Sequence, residues 1–202
     1  MALIIDYYMV PVSPWTYLGH QRFGEIAATH QAQIRMRPFD LNQVLPRTGG
    51  VLFKDRHPAR LAYRLAELAR FRDALGLPLN IKPAYFPADG QMAARLIIAA
   101  EQQFGPDVAF KLAQALLAAV WTREMNVADP STLATIAAEC GVPSDCLEVA
   151  HSSHIEAIYA RNTEDAVAAN VFGAPSYVLN GEVFWGQDRL SLLQLALEKL
   201  KR

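Results

Sequence analysis

Ser13-Pro14 sits where an apolar, strand-like run gives way to a helical pattern, and a hydroxyl in that place can do chemistry. The first turn of a helix carries unsatisfied N–H groups and the positive end of the helix dipole, so it favours negative charge beside it. A hydroxyl there can add a hydrogen bond to an anion. A second such helix start lies near the other end of the chain, at Gln187-Asp188. Its backbone N–H groups suit a carboxylate, and the Asp188 side chain suits an ammonium. Both places also have a plain reading, because Ser13 and Asp188 are good N-caps and would be accounted for by capping their own helices.

Other constellations carry less. Lys54, Arg56 and His57 cluster in the loop Phe53-Lys54-Asp55-Arg56-His57-Pro58, where solvated surface charge is the default. His20, His30, His57, His151 and His154 are scattered, and the close pair His151/His154 has only Glu148 and Glu156 nearby, so no metal site is expected. Cys140 and Cys146 flank Gly141 and Pro143 at a spacing that suits neither a redox pair nor a zinc knuckle, and read as packing thiols. There is no glycine-rich phosphate loop and no G-x-S-x-G elbow, and Ser13 has no evident base partner.

The elements that must position these residues lie at the two ends. Leu3-Ile4-Ile5-Asp6-Tyr7-Tyr8 is a β-branched and aromatic run of strand length. Ser13 as N-cap and Pro14 at the first helical position then open a helix with Leu18, Phe23, Ile26 and Ala27 on its apolar face. Ile34-Arg35-Met36-Arg37 alternates as a strand, ended by Pro38. Near the C-terminus, Ser176-Tyr177-Val178-Leu179 and Glu182-Val183-Phe184-Trp185 flank Asn180-Gly181, a strong hairpin signal. A helix follows with Asp188 as candidate N-cap and Leu190, Leu193, Leu197 and Leu200 on one face. Ala174-Pro175 enters this unit and is a candidate cis bond, although cis is the minority state of any X-Pro pair.

Between them the strand signal disappears. Arg47-Thr48-Gly49-Gly50 reads as a loop, and Pro58 starts a helix with Leu61, Leu65, Leu68 and Ala69 inward, stopped by Gly76 and Pro78. Tyr85 and Phe86 fall in a proline-rich loop. Helices are expected at 91–104, 107–122, 130–140, 144–151 and 153–170, with Trp121 at a helical position that is more often core than pocket. The expected order is thus β-α-β, a helical insertion, and β-β-α, short terminal pieces that must pair into one sheet.

Composition narrows the partners. Lys+Arg 19 against Asp+Glu 20 leaves no surplus charge to attract nucleic acid or an anionic membrane. No apolar run approaches a membrane span, and Met1-Ala2 leads straight into Leu3-Ile4-Ile5 without a basic leader, so a cytoplasmic location is expected.

This order resembles thioredoxin folds with an inserted helical domain, the group of disulfide oxidoreductases and kappa-class glutathione transferases. Within it, the chain most resembles the 2-hydroxychromene-2-carboxylate isomerases of aromatic hydrocarbon catabolism. The carrying motifs are Val12-Ser13-Pro14-Trp15-Thr16-Tyr17-Leu18, Val171-Phe172-Gly173-Ala174-Pro175 and Phe184-Trp185-Gly186-Gln187-Asp188-Arg189-Leu190. The fold class implied is α/β: a discontinuous thioredoxin-like β-α-β/β-β-α domain of residues 1–42 and 171–202 around a helical insertion at 43–170.

The resemblance implies reduced glutathione as cofactor and Ser13 as the catalytic hydroxyl, standing where an oxidoreductase would place Cys-x-x-Cys. Glutathione would be held by Ala174, Pro175, Trp185, Gly186, Gln187 and Asp188, its cysteinyl part pairing with the backbone of Ala174 if the Ala174-Pro175 bond is cis. The implied reaction interconverts 2-hydroxychromene-2-carboxylate and trans-o-hydroxybenzylidenepyruvate. A small aromatic carboxylate calls for a cation, with Lys54 the first choice before Arg56 and His57, and Tyr85 is the candidate aromatic wall. Kappa-like enzymes are typically dimers, so a homodimer is an implied partner, although no stretch of the sequence demands one. Two alternatives stand beside the isomerase: a kappa-class-like transferase or peroxidase using the same Ser13, and a non-catalytic thioredoxin-fold protein for extended peptides, in which Ser13 only caps.

Overall fold

A computed structural model describes residues 3–200 and places strand β1 (Ile4–Met9) at the centre of the molecule. β2 (Gln33–Pro38) runs parallel to it, Ile5 facing Ile34 and Tyr7 facing Met36. β3 (Ser176–Leu179) pairs antiparallel on its other side, and β4 (Glu182–Trp185) closes the sheet in the order β2-β1-β3-β4. Parallel neighbours need a crossover, and α1 (Pro14–Thr29) supplies it. The β3–β4 hairpin turns on Asn180 and Gly181, both at positive φ (50° and 84°), as the primed turns that match strand twist require.

Alternation along β1 sends Ile5, Tyr7 and Met9 to one face and Tyr8 to the other. On the first face the Tyr7 ring stacks on Tyr177 at 5.4 Å and tilts against Phe23 at 4.7 Å. This core continues without a break into helices α4 (Gln91–Phe104) and α5 (Pro106–Trp121), whose buried alanines let the two axes approach closely. On the second face Tyr8 and Val178 pack with Val44 of α2 (Leu41–Arg47) and Ala166 of α8 (Ser153–Ala168). The basic alternation of β2 finds partners there: Arg35 and Arg37 flank Asp6, and Arg37 Nη1 donates to Asn162 Oδ1 of α8 at 2.9 Å. The remaining helices are α3 (Pro58–Leu75), α6 (Pro130–Glu139), α7 (Asp145–Ala150) and α9 (Leu190–Leu200).

Three local readings of the sequence need correction. Helix α2 takes up residues for which the sequence suggested no element, and the loop expected at Arg47-Thr48-Gly49-Gly50 begins only at its last residue; a seven-residue helix with Pro46 inside it shows no apolar period, and its start is marked by Asp40, whose carboxylate accepts from Asn42 N at 2.9 Å. Helix α3 buries Arg64 beside Leu68, while Leu61, Leu65 and Ala69 are only half-buried. Asp188 is not the cap of α9 but lies within a 3-10 turn, Gln187–Arg189, that precedes it. The Ala174-Pro175 bond is cis, as is Phe86-Pro87.

His20 on α1 is buried and stacks on Phe110 at 3.8 Å. Its Nε2 lies 3.0 Å from the Phe110 carbonyl, which can only accept, so Nε2 carries the proton and Nδ1 accepts from the Tyr7 hydroxyl at 3.1 Å. Burial pushes this imidazole down to about 4. The folded chain therefore resists a proton that the unfolded chain takes near the ordinary 6.5. Stability is full above that pH and falls as pH drops from there towards 4, by about 3 kcal/mol in all. Urea unfolding at pH 7.5 and pH 5 should reveal the loss, and the His20 ring should titrate below pH 5 by NMR; a midpoint near 6.5 would contradict both.

Candidate functional site

The site forms where the loop after β1, the start of α1, the Ala174 turn and the end of β4 meet α3. Ser13 has extended backbone (φ −81°, ψ 125°), the geometry of an N-cap, and its Oγ accepts from Thr16 N at 3.2 Å. That bond uses a lone pair. The hydroxyl proton is given to no acceptor among the described residues, and Ser13 stands on the wall of a cavity of about 470 Å³. Capping and anion binding are thus compatible in one side chain.

Ala174 and Trp185 line the same cavity. No turn or loop hydrogen bond of the described residues uses the N–H or C=O of Ala174, which leaves its backbone open to an extended ligand. Pro175 is tied instead to the hairpin's end, its carbonyl accepting from Gly186 N at 2.9 Å. Trp185 is half exposed, with its ring edge-on to Phe172 at 4.8 Å. The indole lies over Gly173, where any β-carbon would come within 2.2 Å of Nε1.

A second cavity of about 510 Å³ shares Trp15, Arg56, Arg60, Arg64, Ala174 and Trp185 with the first, so the two form adjoining lobes. Its far end is Gly186, Gln187, Asp188 and Arg189. Gly186 at φ 101° folds the chain so that a β-carbon there would meet Asp188 Oδ1 at 2.5 Å, a conformation reserved for glycine. The Arg189 N–H returns to the Gly186 carbonyl at 3.1 Å, while the N–H groups of Gln187 and Asp188 stay outside the turn hydrogen bonding of the described residues. Asp188 pairs with Arg189 at 2.5 Å and remains partly exposed. Gln187 is buried, and Arg22 of α1 donates to its carbonyl at 3.1 Å and also to its Oε1. Arg22 thereby fixes this turn to the helix that carries Ser13.

The structure brings Ser13, Ala174 and Trp185 to one lobe and Gly186, Gln187 and Asp188 to the other, with Pro175 behind them. Lys54 and Tyr85 are placed apart: both side chains are exposed and neither lines the two lobes. The aromatic and cationic walls are other residues. Phe53 and Phe86 meet edge to face at 5.4 Å, and Phe86 leans on the buried Trp121 at 4.9 Å. Arg56, Arg60 and Arg64 supply the charge. Of these, Arg60 and Arg64 escaped the sequence reading, although three arginines four residues apart beside an apolar helical face are a visible signal. Tyr159 was missed too; it lines the first lobe, and burial raises its phenol well above the usual range, so it is a neutral hydroxyl there.

Neither cysteine lines a lobe, and burial raises both thiols, Cys146 to about 11, so each is a protonated bystander. Among the described residues no group of three or more His, Cys, Asp and Glu is placed to hold a metal, and no helix is long and apolar enough to cross a membrane.

Comparison with known proteins agrees with this architecture. The model of the DSBA-like thioredoxin domain matches residues 4–198. The chain is 29% identical over 202 residues to 2-hydroxychromene-2-carboxylate isomerase of Pseudomonas putida, covering 99% of this chain and 97% of the relative. It is 22% identical to human glutathione S-transferase kappa 1, covering 90% and 85%. A solved structure of a 2-hydroxychromene-2-carboxylate isomerase superposes with a TM-score of 0.83 at 28% identity, over 98% of this chain and 96% of that one.

Proposed function

We propose that this chain, which belongs to the family of DSBA-like thioredoxin domains, is a glutathione-dependent isomerase of conjugated aromatic acids, with 2-hydroxychromene-2-carboxylate and trans-o-hydroxybenzylidenepyruvate as the substrate pair. The relatives named above are enzymes, an isomerase and a glutathione transferase. The observation that carries the reading is the Ser13 hydroxyl: it stands at a helix N-terminus on a cavity wall with its proton unspent, and no thiol of the chain stands near it.

The residues present fit glutathione. The open backbone of Ala174 suits its cysteinyl part, and the Gln187 and Asp188 N–H groups with the Asp188 carboxylate suit the amino-acid end of its γ-glutamyl group. Bound there, glutathione would supply the thiol nucleophile for reversible addition to the conjugated system. The Ser13 hydroxyl would donate a hydrogen bond to the thiolate sulfur, and the α1 dipole favours the same negative charge. Arg22 keeps the Asp188 turn in register with α1. Trp185 and Phe172 contribute aromatic surface to the wall of the lobe.

The kappa-class relative supports a second reading, a transferase that releases a glutathione conjugate. Calorimetric titration with reduced glutathione, followed by turnover of the hydroxychromene acid with the free thiol monitored, tests both. Binding with unchanged thiol supports the isomerase, stoichiometric loss of thiol supports the transferase, and no binding at millimolar glutathione removes both.

A further inference from the structure

Three arginines stand together on the wall shared by the two lobes; carboxylates line the lobes too, Asp40 and Asp89 in the first and Glu67 and Asp188 in the second, but among the described residues none of them forms an ion pair with the three. Arg56 Nε donates to the Val51 carbonyl at 3.2 Å; Arg60 and Arg64 have no hydrogen bond or ion pair among the described residues. Arg64 is 9% exposed. Its guanidinium carbon lies 4.9 Å from the ring centre of Phe86, 5.3 Å from Phe53 and 5.9 Å from Trp121. Burial, and then the charge of Arg56, push Arg64 down to about 10, so it stays charged at neutral pH. Arg56 is lowered in the same way by burial and by Arg60.

Aromatic faces stabilise a buried cation by about 0.5–2 kcal/mol each. That would account for a lone structural arginine. It does not account for three like charges gathered on one cavity wall, where each makes the others less favourable and Arg64, the buried one of the three, has no ion pair among the described residues. What relieves all three is an anion entering from the cavity. The guanidinium fork matches a carboxylate with two parallel hydrogen bonds, and rings held against Arg64 offer flat apolar surface to whatever carries that carboxylate.

We propose that Arg64, with Arg60 and Arg56 beside it, is the specificity-determining residue that takes the carboxylate of a flat, conjugated acid, in the place that the sequence alone assigned to Lys54. The proposal rests on the isomerase reading for what happens to that acid, but the carboxylate site stands on the unpaired arginines alone.

Binding of trans-cinnamate and of the uncharged, equally flat cinnamamide to the full chain, measured by calorimetry or NMR with and without saturating reduced glutathione, tests it. Cinnamate is expected to bind about 10-fold or more tightly than the amide, a charge-assisted pair of hydrogen bonds against a neutral one, and to weaken with salt. Arg64→Gln should remove this preference while leaving cinnamamide within about twofold, and Arg64→Lys should recover only part of it. Arg60→Gln, at an exposed position that the fold does not need, should reduce the preference by a smaller factor and guards against misfolding of the Arg64 variants. Equal affinity for acid and amide, a preference untouched by both glutamine variants, or no binding of cinnamate at millimolar concentration would overturn the proposal. So would displacement of cinnamate by glutathione with Arg64→Gln weakening glutathione instead, since the cluster would then serve glutathione's own carboxylate. A chain that prefers cinnamate through Arg64 yet binds no glutathione keeps the carboxylate site and loses the isomerase.

Discussion

Replacing Ser13 with alanine is expected to slow turnover of the hydroxychromene acid by about 10- to 100-fold, the range of a lost hydrogen bond to a charged group. The side chain makes one bond inside the fold, accepting from Thr16 N at 3.2 Å, and its proton is free for a ligand. The alanine variant should lose about 1 kcal/mol of stability from the missing cap and still fold. Its diagnostic effect is on the thiol: without the hydroxyl, glutathione bound at this helix start should titrate about one to two pH units higher, each unit equivalent to the same tenfold step. The pH-rate profile should therefore shift to higher pH, with most of the lost rate recovered in alkaline buffer. Thiolate absorbance of the complex and the pH profile are the two measurements. An unchanged profile with unchanged turnover would leave Ser13 as a cap and nothing more.

The second large effect is expected at Asp188. Asp188→Ala should raise the dissociation constant for reduced glutathione by about 10-fold, through loss of the partner for the ligand's ammonium. Turnover at saturating glutathione should stay within about twofold, because the residue is in the far lobe from Ser13. Asp188 already holds Arg189 at 2.5 Å, so part of its charge is engaged before any ligand arrives, and salt should reduce the difference between variant and parent. Titration calorimetry at two ionic strengths decides the point, and equal affinity in the two proteins would move the γ-glutamyl end away from this turn. The contrast between the two variants is informative: one is expected to change the chemistry and the other the binding.

Much of the scaffold was legible because its signals are short-ranged. Ser13-Pro14 starts a helix by capping and by a preset φ, and Asn180-Gly181 turns a hairpin by tolerating positive φ; each needs only its neighbours. The β-branched and aromatic run of β1, the alternation in β2 and the apolar periods of α4 and α5 needed no more than a window of sequence. From these the four-stranded sheet with a helical insertion follows, since short pieces must share one core. The Ser13 and Asp188 neighbourhoods could be named for the same reason, as they sit at ends of elements that local rules locate.

The cationic wall was not legible in that way. Lys54 and Arg64 look alike in a sequence, and the difference between them is whether the rest of the chain brings an acid, water or aromatic rings to the charge. Lys54 ends on an exposed turn, while Arg64 of α3 lies against the rings of Phe53, Phe86 and Trp121 and forms no ion pair among the described residues. Asp188 is a similar case: an aspartate before a leucine-rich helix reads as a cap until the positive φ of Gly186 shifts the helix start to Leu190. Tyr159, from α8, reaches the lobe that holds Ser13 only because α8 packs against the sheet's second face. The amino-acid order alone therefore determined most of the elements, their pairing into a thioredoxin-type sheet and the helix start at Ser13, through interactions between near neighbours. Which charges are left without partners, and which hydroxyls face the same cavity, depends on contacts between residues far apart in the chain, and only the packed structure resolves them.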